Sequence, residues 1–178
     1  MAVGSFVTAV LTPNPVYYTY GPGETVYIEG DTIILNNDQQ VPVQTYVEQT
    51  ATIADSAPEV DPEQVEWMPL GVFALVDDED PDPTQVVQLT VSKEGILAGM
   101  YQNTTTDTTV PLEGMVEPET GKAVFKPAEK DYPLVETGLY NLIEDNAQAL
   151  VFYDADTVQE KTLVRLDQPE DEEGVEGQ

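Results

Sequence analysis

The sequence predicts a mainly β protein: an antiparallel up-and-down meander of about eight strands, barrel-like, preceded by an N-terminal Tyr-rich β-hairpin region and one α-helix. Three observations predict it. Short β-branched and aromatic runs recur about every 8–12 residues through the second half of the chain, the spacing of a barrel or sandwich. Tight turns such as Lys93-Glu94-Gly95 and Glu119-Thr120-Gly121 join them, which favours hairpins over crossovers. Only residues 41–58 place apolar side chains at three- and four-residue intervals, the period of a helix face.

A chain of 178 residues suffices for one domain with a sizeable core. Its charge is extreme: 34 acidic residues stand against 6 basic ones, a formal net charge of −28. The basic residues, Lys93, Lys122, Lys126, Lys130, Lys161 and Arg165, all follow residue 92. Such a surface repels phosphate backbones and anionic lipid heads, which argues against nucleic acid and ordinary membrane surfaces as partners. It attracts counter-ions, divalent cations included. Neither Cys nor His occurs, which removes thiol nucleophiles, imidazole bases and nearly all zinc or copper sites. No apolar run reaches the ~18 residues of a spanning helix, so no transmembrane segment is expected.

Residues 1–12 form an apolar arm. Val3, Phe6, Val7, Val10 and Leu11 suit a strand, read either as a terminal strand or as an arm that adds to another subunit's sheet edge. Residues 13–40 carry β-rich runs at 16–20, 25–28 and 32–35, punctuated by Gly21-Pro22-Gly23 and Gly30-Asp31, and predict a small three-stranded sheet. Its tyrosines read as cross-strand pairs or as an aromatic ligand patch. In the helix over 41–58, Pro42 suits the first turn and Pro58 the stop.

The meander domain spans 59–166, beginning with an acidic linker. Strands are expected at 65–76, 85–92, 96–102, 109–117, 122–126, 134–143, 148–153 and 161–166. Pro69 and Gly71 mark a bulge or edge in the first. Gly99 and Gly114 fall in mid-strand, where a closing sheet must bend. Trp67, the sole Trp, reads as a core residue or as the lining of a ligand mouth. The acidic tail 167–178 has no core of its own.

Chemistry-bearing patterns are few. Asp77, Asp78, Asp80 and Asp82 cluster in one loop, and clustered carboxylates suit calcium, which takes about six to eight oxygen ligands. Their spacing lacks the glycine of the common calcium loop, and Pro81 and Pro83 intrude, so a solvated loop is the plain alternative. Asn103-Thr104-Thr105 matches the N-glycosylation pattern. No catalytic set and no cofactor motif stands out. Among so many acids, paired carboxylates of glycosidase type arise by chance.

The segments EWMPLGVFALV, VVQLTVSKEGILAGMYQN, DTTVPLEGMVEPETGKAVF, ETGLYNL and LVRL, with YGPGETVYIEGDTI and IADSAPEV upstream, resemble a family of exported, cell-surface proteins of Planctomycetes. That family bears the inherited name "protocadherin-like cell-surface protein". The likeness spans roughly residues 17–166. It implies an extracellular or cell-surface location, and it brings no catalytic residues. The family's typical leader and its basic or His/Gly/Tyr-rich N-terminal region do not occur in this chain, and the cadherin calcium motifs are absent. A weaker likeness in shape, carried by Leu89, Val91, Gly95, Leu97, Gly99, Tyr101, Leu112 and Gly114, is to avidin- and lipocalin-type barrels.

The expectation is a non-catalytic structural protein of the cell surface, a homo-oligomer or polymer associating through strand edges or through its N-terminal arm. Two other classes stay open: a barrel that holds a small apolar ligand, and a carboxylate-dependent enzyme.

Overall fold

A computed structural model describes Tyr20 and residues 26–35, 39–58, 61–76, 84–117, 120–128 and 130–166. Three short strands, β1 (Val26–Glu29), β2 (Thr32–Leu35) and β3 (Gln39–Pro42), precede helix α1 (Val43–Asp55). Eight more follow: β4 (Trp67–Val76), β5 (Gln85–Ser92), β6 (Ile96–Asn103), β7 (Thr108–Val116), β8 (Lys122–Pro127), β9 (Leu134–Gly138), β10 (Asn146–Phe152) and β11 (Val158–Arg165). Strands β4 to β11 each pair antiparallel with the next, and β11 returns to pair with β4. The meander is therefore a closed up-and-down barrel, as the strand spacing predicts.

Closure needs alternate residues to point inward along every strand, and they do. Phe73 and Leu75, Val87 and Leu89, Leu97 and Tyr101, and Phe125 and Val151 belong to one interior cluster. Small residues, Ala123, Ala147 and Ala149, line the far wall. The turn after β9 delivers Leu139 and Leu142 to this cluster, and Leu139 N–H donates to Gly121 O at 2.8 Å. This turn plugs one end of the barrel.

The mid-strand glycines mark where the wall folds most tightly. A Cβ on Gly99 would lie 1.7 Å from the carbonyl oxygen of Gln88, and one on Gly114 would lie 2.0 Å from that of Val124. The neighbouring strands approach closer than any side chain allows. The bulge expected near Pro69 and Gly71 lies between those residues, where the β4–β5 register shifts. Gly71 has φ 140° there, and its missing side chain leaves room for Arg165. That guanidinium donates to Leu70 O at 2.7 Å and Leu142 O at 2.5 Å. It also stacks 4.9 Å over the Phe73 ring. One cation thus ties the bulge to the end plug.

Differences from the expected boundaries have local causes. The front sheet has the order β1-β2-β3, so residues 39–42 supply a strand that was not expected; of the run expected at 16–20 only Tyr20 is among the described residues, and it bridges to Val26 of β1. Val41 and Pro42 belong to β3, and the helix begins at Val43, where Val43 N–H finds Asp31 O at 3.0 Å. It stops at Asp55, before Pro58, because Ser56 closes it with both its N–H and its hydroxyl on Ile53 O. The expected strand 134–143 ends at Gly138, since the end plug needs the turn Asn141–Ile143.

Among the described residues no helix is long and apolar enough to cross a membrane. The arm residues Val3, Phe6, Val7, Val10 and Leu11, the candidate calcium residues Asp77, Asp78, Asp80 and Asp82, and the acidic tail lie outside the described residues.

Candidate functional site

The outer wall of the barrel is not all solvent-facing. Along β8, β9 and β10, the outward residues Val124, Leu134, Leu150 and Phe152 are fully buried and form a second cluster with the front layer. Helix α1 lies on this wall through Val43, Tyr46, Val47, Thr50 and Ala54, and β1–β3 contribute Val26, Ile33 and Val41. The ring of Tyr46 sits 6.0 Å from that of Phe152, tilted by 35°.

Within this apolar seam sits one carboxylate. Glu136 is 0% exposed and projects outward from β9 between the registers of Val124 and Leu150. Burying a charge is costly unless it is paired and hydrogen-bonded, and Glu136 is both. Its Oε2 accepts from the hydroxyls of Tyr46 at 2.7 Å and Tyr20 at 3.0 Å. Its Oε1 accepts from Thr50 Oγ1 at 3.1 Å. Lys122 Nζ lies 3.7 Å from Oε1, an ion pair without a direct hydrogen bond. The ammonium instead donates to the Tyr46 hydroxyl at 3.2 Å and lies 5.0 Å over the Tyr46 ring. Tyr46 therefore relays the cation to the anion, giving its proton to Glu136 and a lone pair to Lys122.

The groups around this carboxylate come from three separate parts of the chain. Tyr20 precedes the front sheet, Tyr46 and Thr50 come from α1, and Lys122 comes from β8. Tyr20 N–H also donates to Gln148 Oε1 on β10 at 2.9 Å. A second cation, Lys126, is 9% exposed at its side chain and reaches Asp55 Oδ1 at 3.0 Å, at the C-terminal end of α1, where a cation is favoured by the helix dipole. Asp131 adds a longer contact at 3.9 Å. The seam is a lock between front layer and barrel. Its ion pair, Glu136 and Lys122, is engaged within the seam, whereas Asp55 stands at the groove described below.

Two cavities bear on function. At the barrel mouth opposite the plug, Leu75, Val87, Tyr101, Phe125 and Val151 surround a space of about 30 Å³, comparable to one water's share of the liquid. Outside the barrel, an open groove of about 740 Å³ runs between the end of α1 and the outer wall. Trp67, Ala98 and Pro58 line it, with the carboxylates of Asp55 and Glu113. Trp67 is half-buried in this groove, so the residue read as core or ligand mouth stands on the outer wall.

Of the front-end tyrosines, Tyr20 and Tyr46 give their hydroxyls to Glu136 and Tyr27 stands opposite Ile34 in the β1–β2 pair, while Tyr17 and Tyr18 lie outside the described residues. Sequence reading missed Glu136, one acid among 34. The available signal was its position in LVETG, a strand with no other charged residue. The Asn103 pattern falls at a hairpin turn, where Asn103 Oδ1 accepts from Thr105 N–H at 2.9 Å. Among the described residues no group of three or more acidic, His or Cys side chains is placed to hold a metal ion. Compared with protein-family models, curated proteins and solved structures, the chain finds no match.

Proposed function

We propose that this protein is a non-catalytic structural component of the cell surface or extracellular space that assembles with copies of itself through its N-terminal arm. The observation that carries the reading is the combination of a filled, closed barrel with an uncharged apolar arm. The interior is packed from the plug to a mouth space of about 30 Å³, well below the roughly 300–1,000 Å³ of typical small-molecule sites. That favours a scaffold over a lipocalin-like carrier. The buried ionisable groups of the Glu136 seam join layers, which is scaffold work as well.

A closed barrel offers no strand edge. Among the described strands, β1 and β3 stand at the ends of the front sheet, and Tyr20 bridges to β1 at Val26. If the arm associates by strand addition, those edges are its acceptors. The resemblance to exported Planctomycete proteins supports the cell-surface location. Electron microscopy tests the reading: purified protein should show regular oligomers or polymers, and Phe6→Asp with Val10→Asp should disperse them. Particles of single-copy size from the unaltered protein at high concentration would refute it.

A further inference from the structure

The groove beside Trp67 is the largest concavity described outside the barrel, and nothing within the described fold fills it. Its lining is mostly apolar, from Ala54, Ala57 and Pro58 at the end of α1 and from Trp67 and Ala98 on the outer wall. Two carboxylates stand at it. Asp55 is held by Lys126 at 3.0 Å, whereas Glu113 is exposed on β7. The volume, about 740 Å³, falls within the range that holds several apolar groups at once.

Charge narrows the occupant. A protein of net charge −28 repels acidic segments of its own kind, and Glu113 adds to that repulsion locally. The segment 77–83 and the tail 167–178 are both dense in acids. In contrast, the first charged residue of the chain is Glu24, so residues 1–23 contain no Asp, Glu, Lys or Arg. Within them Val3, Phe6, Val7, Val10 and Leu11 supply apolar side chains. Tyr20 is anchored at Glu136 and Gln148, on the β9–β10 side of the barrel, while the groove lies across β4–β7. The 19 residues before Tyr20 can span up to ~60 Å when extended, enough to leave one copy and reach the next.

We propose that the groove between the C-terminal end of α1 and the outer wall of β4–β7 is the docking site for the N-terminal arm of a second copy of this chain. This rests on the assembly reading above and names its acceptor: an apolar groove in place of a sheet edge. Side chains of the arm enter the groove against Trp67, and the neutral backbone passes Glu113 without repulsion.

Trp67 is the only tryptophan, so its emission reports the groove alone. In the full-length protein that emission should move to longer wavelength on dilution, in step with the fall in mass measured by light scattering. Protein lacking residues 1–12 should show the long-wavelength emission at every concentration. A synthetic peptide of residues 1–12 added to it should restore the short-wavelength emission saturably. In full-length protein, Ala98→Arg or, at a second groove position, Thr90→Arg should weaken association at least about tenfold. The proposal is overturned if the truncation abolishes association while Trp67 emission and the groove variants do nothing. Assembly by the arm would then stand, with its acceptor elsewhere. It is overturned equally if the emission of dilute, single-copy protein already differs from that of the truncated protein, since the groove would then hold the chain's own arm.

Discussion

At the residue scale, the molecule depends on a few positions where chemistry leaves one option. Glu136 is one. Replacing it with Leu would strand Lys122, 18% exposed at its side chain, beside three hydroxyls that lose their acceptor. Breaking one partner out of a buried pair costs about 3–5 kcal/mol, so Glu136→Leu should lower unfolding stability by that order in urea titration. Glu136→Gln keeps one acceptor oxygen and should lose less. Gly99 is another: Gly99→Ala drives a Cβ into the Gln88 carbonyl, and forcing strands apart in a packed wall costs about 1–3 kcal/mol or more. A drop in melting temperature measures it. Gly71→Ala should be costly for a separate reason, since its Cβ would meet Arg165 Nη1 at 2.3 Å; in a Gly71→Ala, Arg165→Ala double-mutant cycle the two losses should not add.

Asp154, in the turn between β10 and β11, carries a pH signal at the same scale. The backbone N–H of Asp156, then the Thr157 hydroxyl, hold its carboxyl below the ordinary value of 3.8. A depressed folded value means the carboxylate stabilises the fold above the ordinary value, and that this contribution fades as pH falls through the depressed one. Asp154→Ala should therefore be less stable than the parent at neutral pH, and the gap should close on acidification below 3.8. Denaturant midpoints collected across that range would show it, and a gap independent of pH would contradict the assignment.

Elements show how much of this was legible in the sequence. All eight barrel strands were, within a few residues, because each alternates apolar and polar residues or is bounded by Gly and Pro turns. Helix α1 was legible from its three-four spacing, and the β4 bulge from Pro69 and Gly71. The limits arose where an element answers to another element. Val41 reads as helix by spacing alone, yet β2 recruits residues 39–42 into the sheet. Residues 139–143 read as a continuing strand, yet the barrel end needs Leu139 and Leu142 as a plug. Glu136 was illegible for the same reason: a strand buried on both faces shows itself only once α1 covers the wall. Trp67 misled because size and aromaticity suggest a core, and the groove supplies partial burial without one. Lys126→Ala should loosen the end of α1 by leaving Asp55 and the last carbonyls without their cation, seen as faster amide exchange over residues 51–56 than in the barrel.

The whole molecule is a barrel wearing a front layer with a net charge of −28, and the proposed assembly has to form against that charge. Long-range repulsion between copies extends about 30 Å at 0.01 M salt and about 10 Å at 0.1 M. Self-association through a neutral arm should therefore strengthen as salt rises across that interval, opposite to a contact held by surface ion pairs. On the proposed reading the filled barrel and its Glu136 seam are the scaffold, and residues 1–12 join one copy to the next. Multi-angle light scattering of the intact chain and of the chain lacking residues 1–12, at 0.1 M salt and matched concentration, tests this most directly. The account predicts a mass of several 19.5 kDa units for the intact protein and a single unit for the shortened one. Equal masses for the two would contradict it.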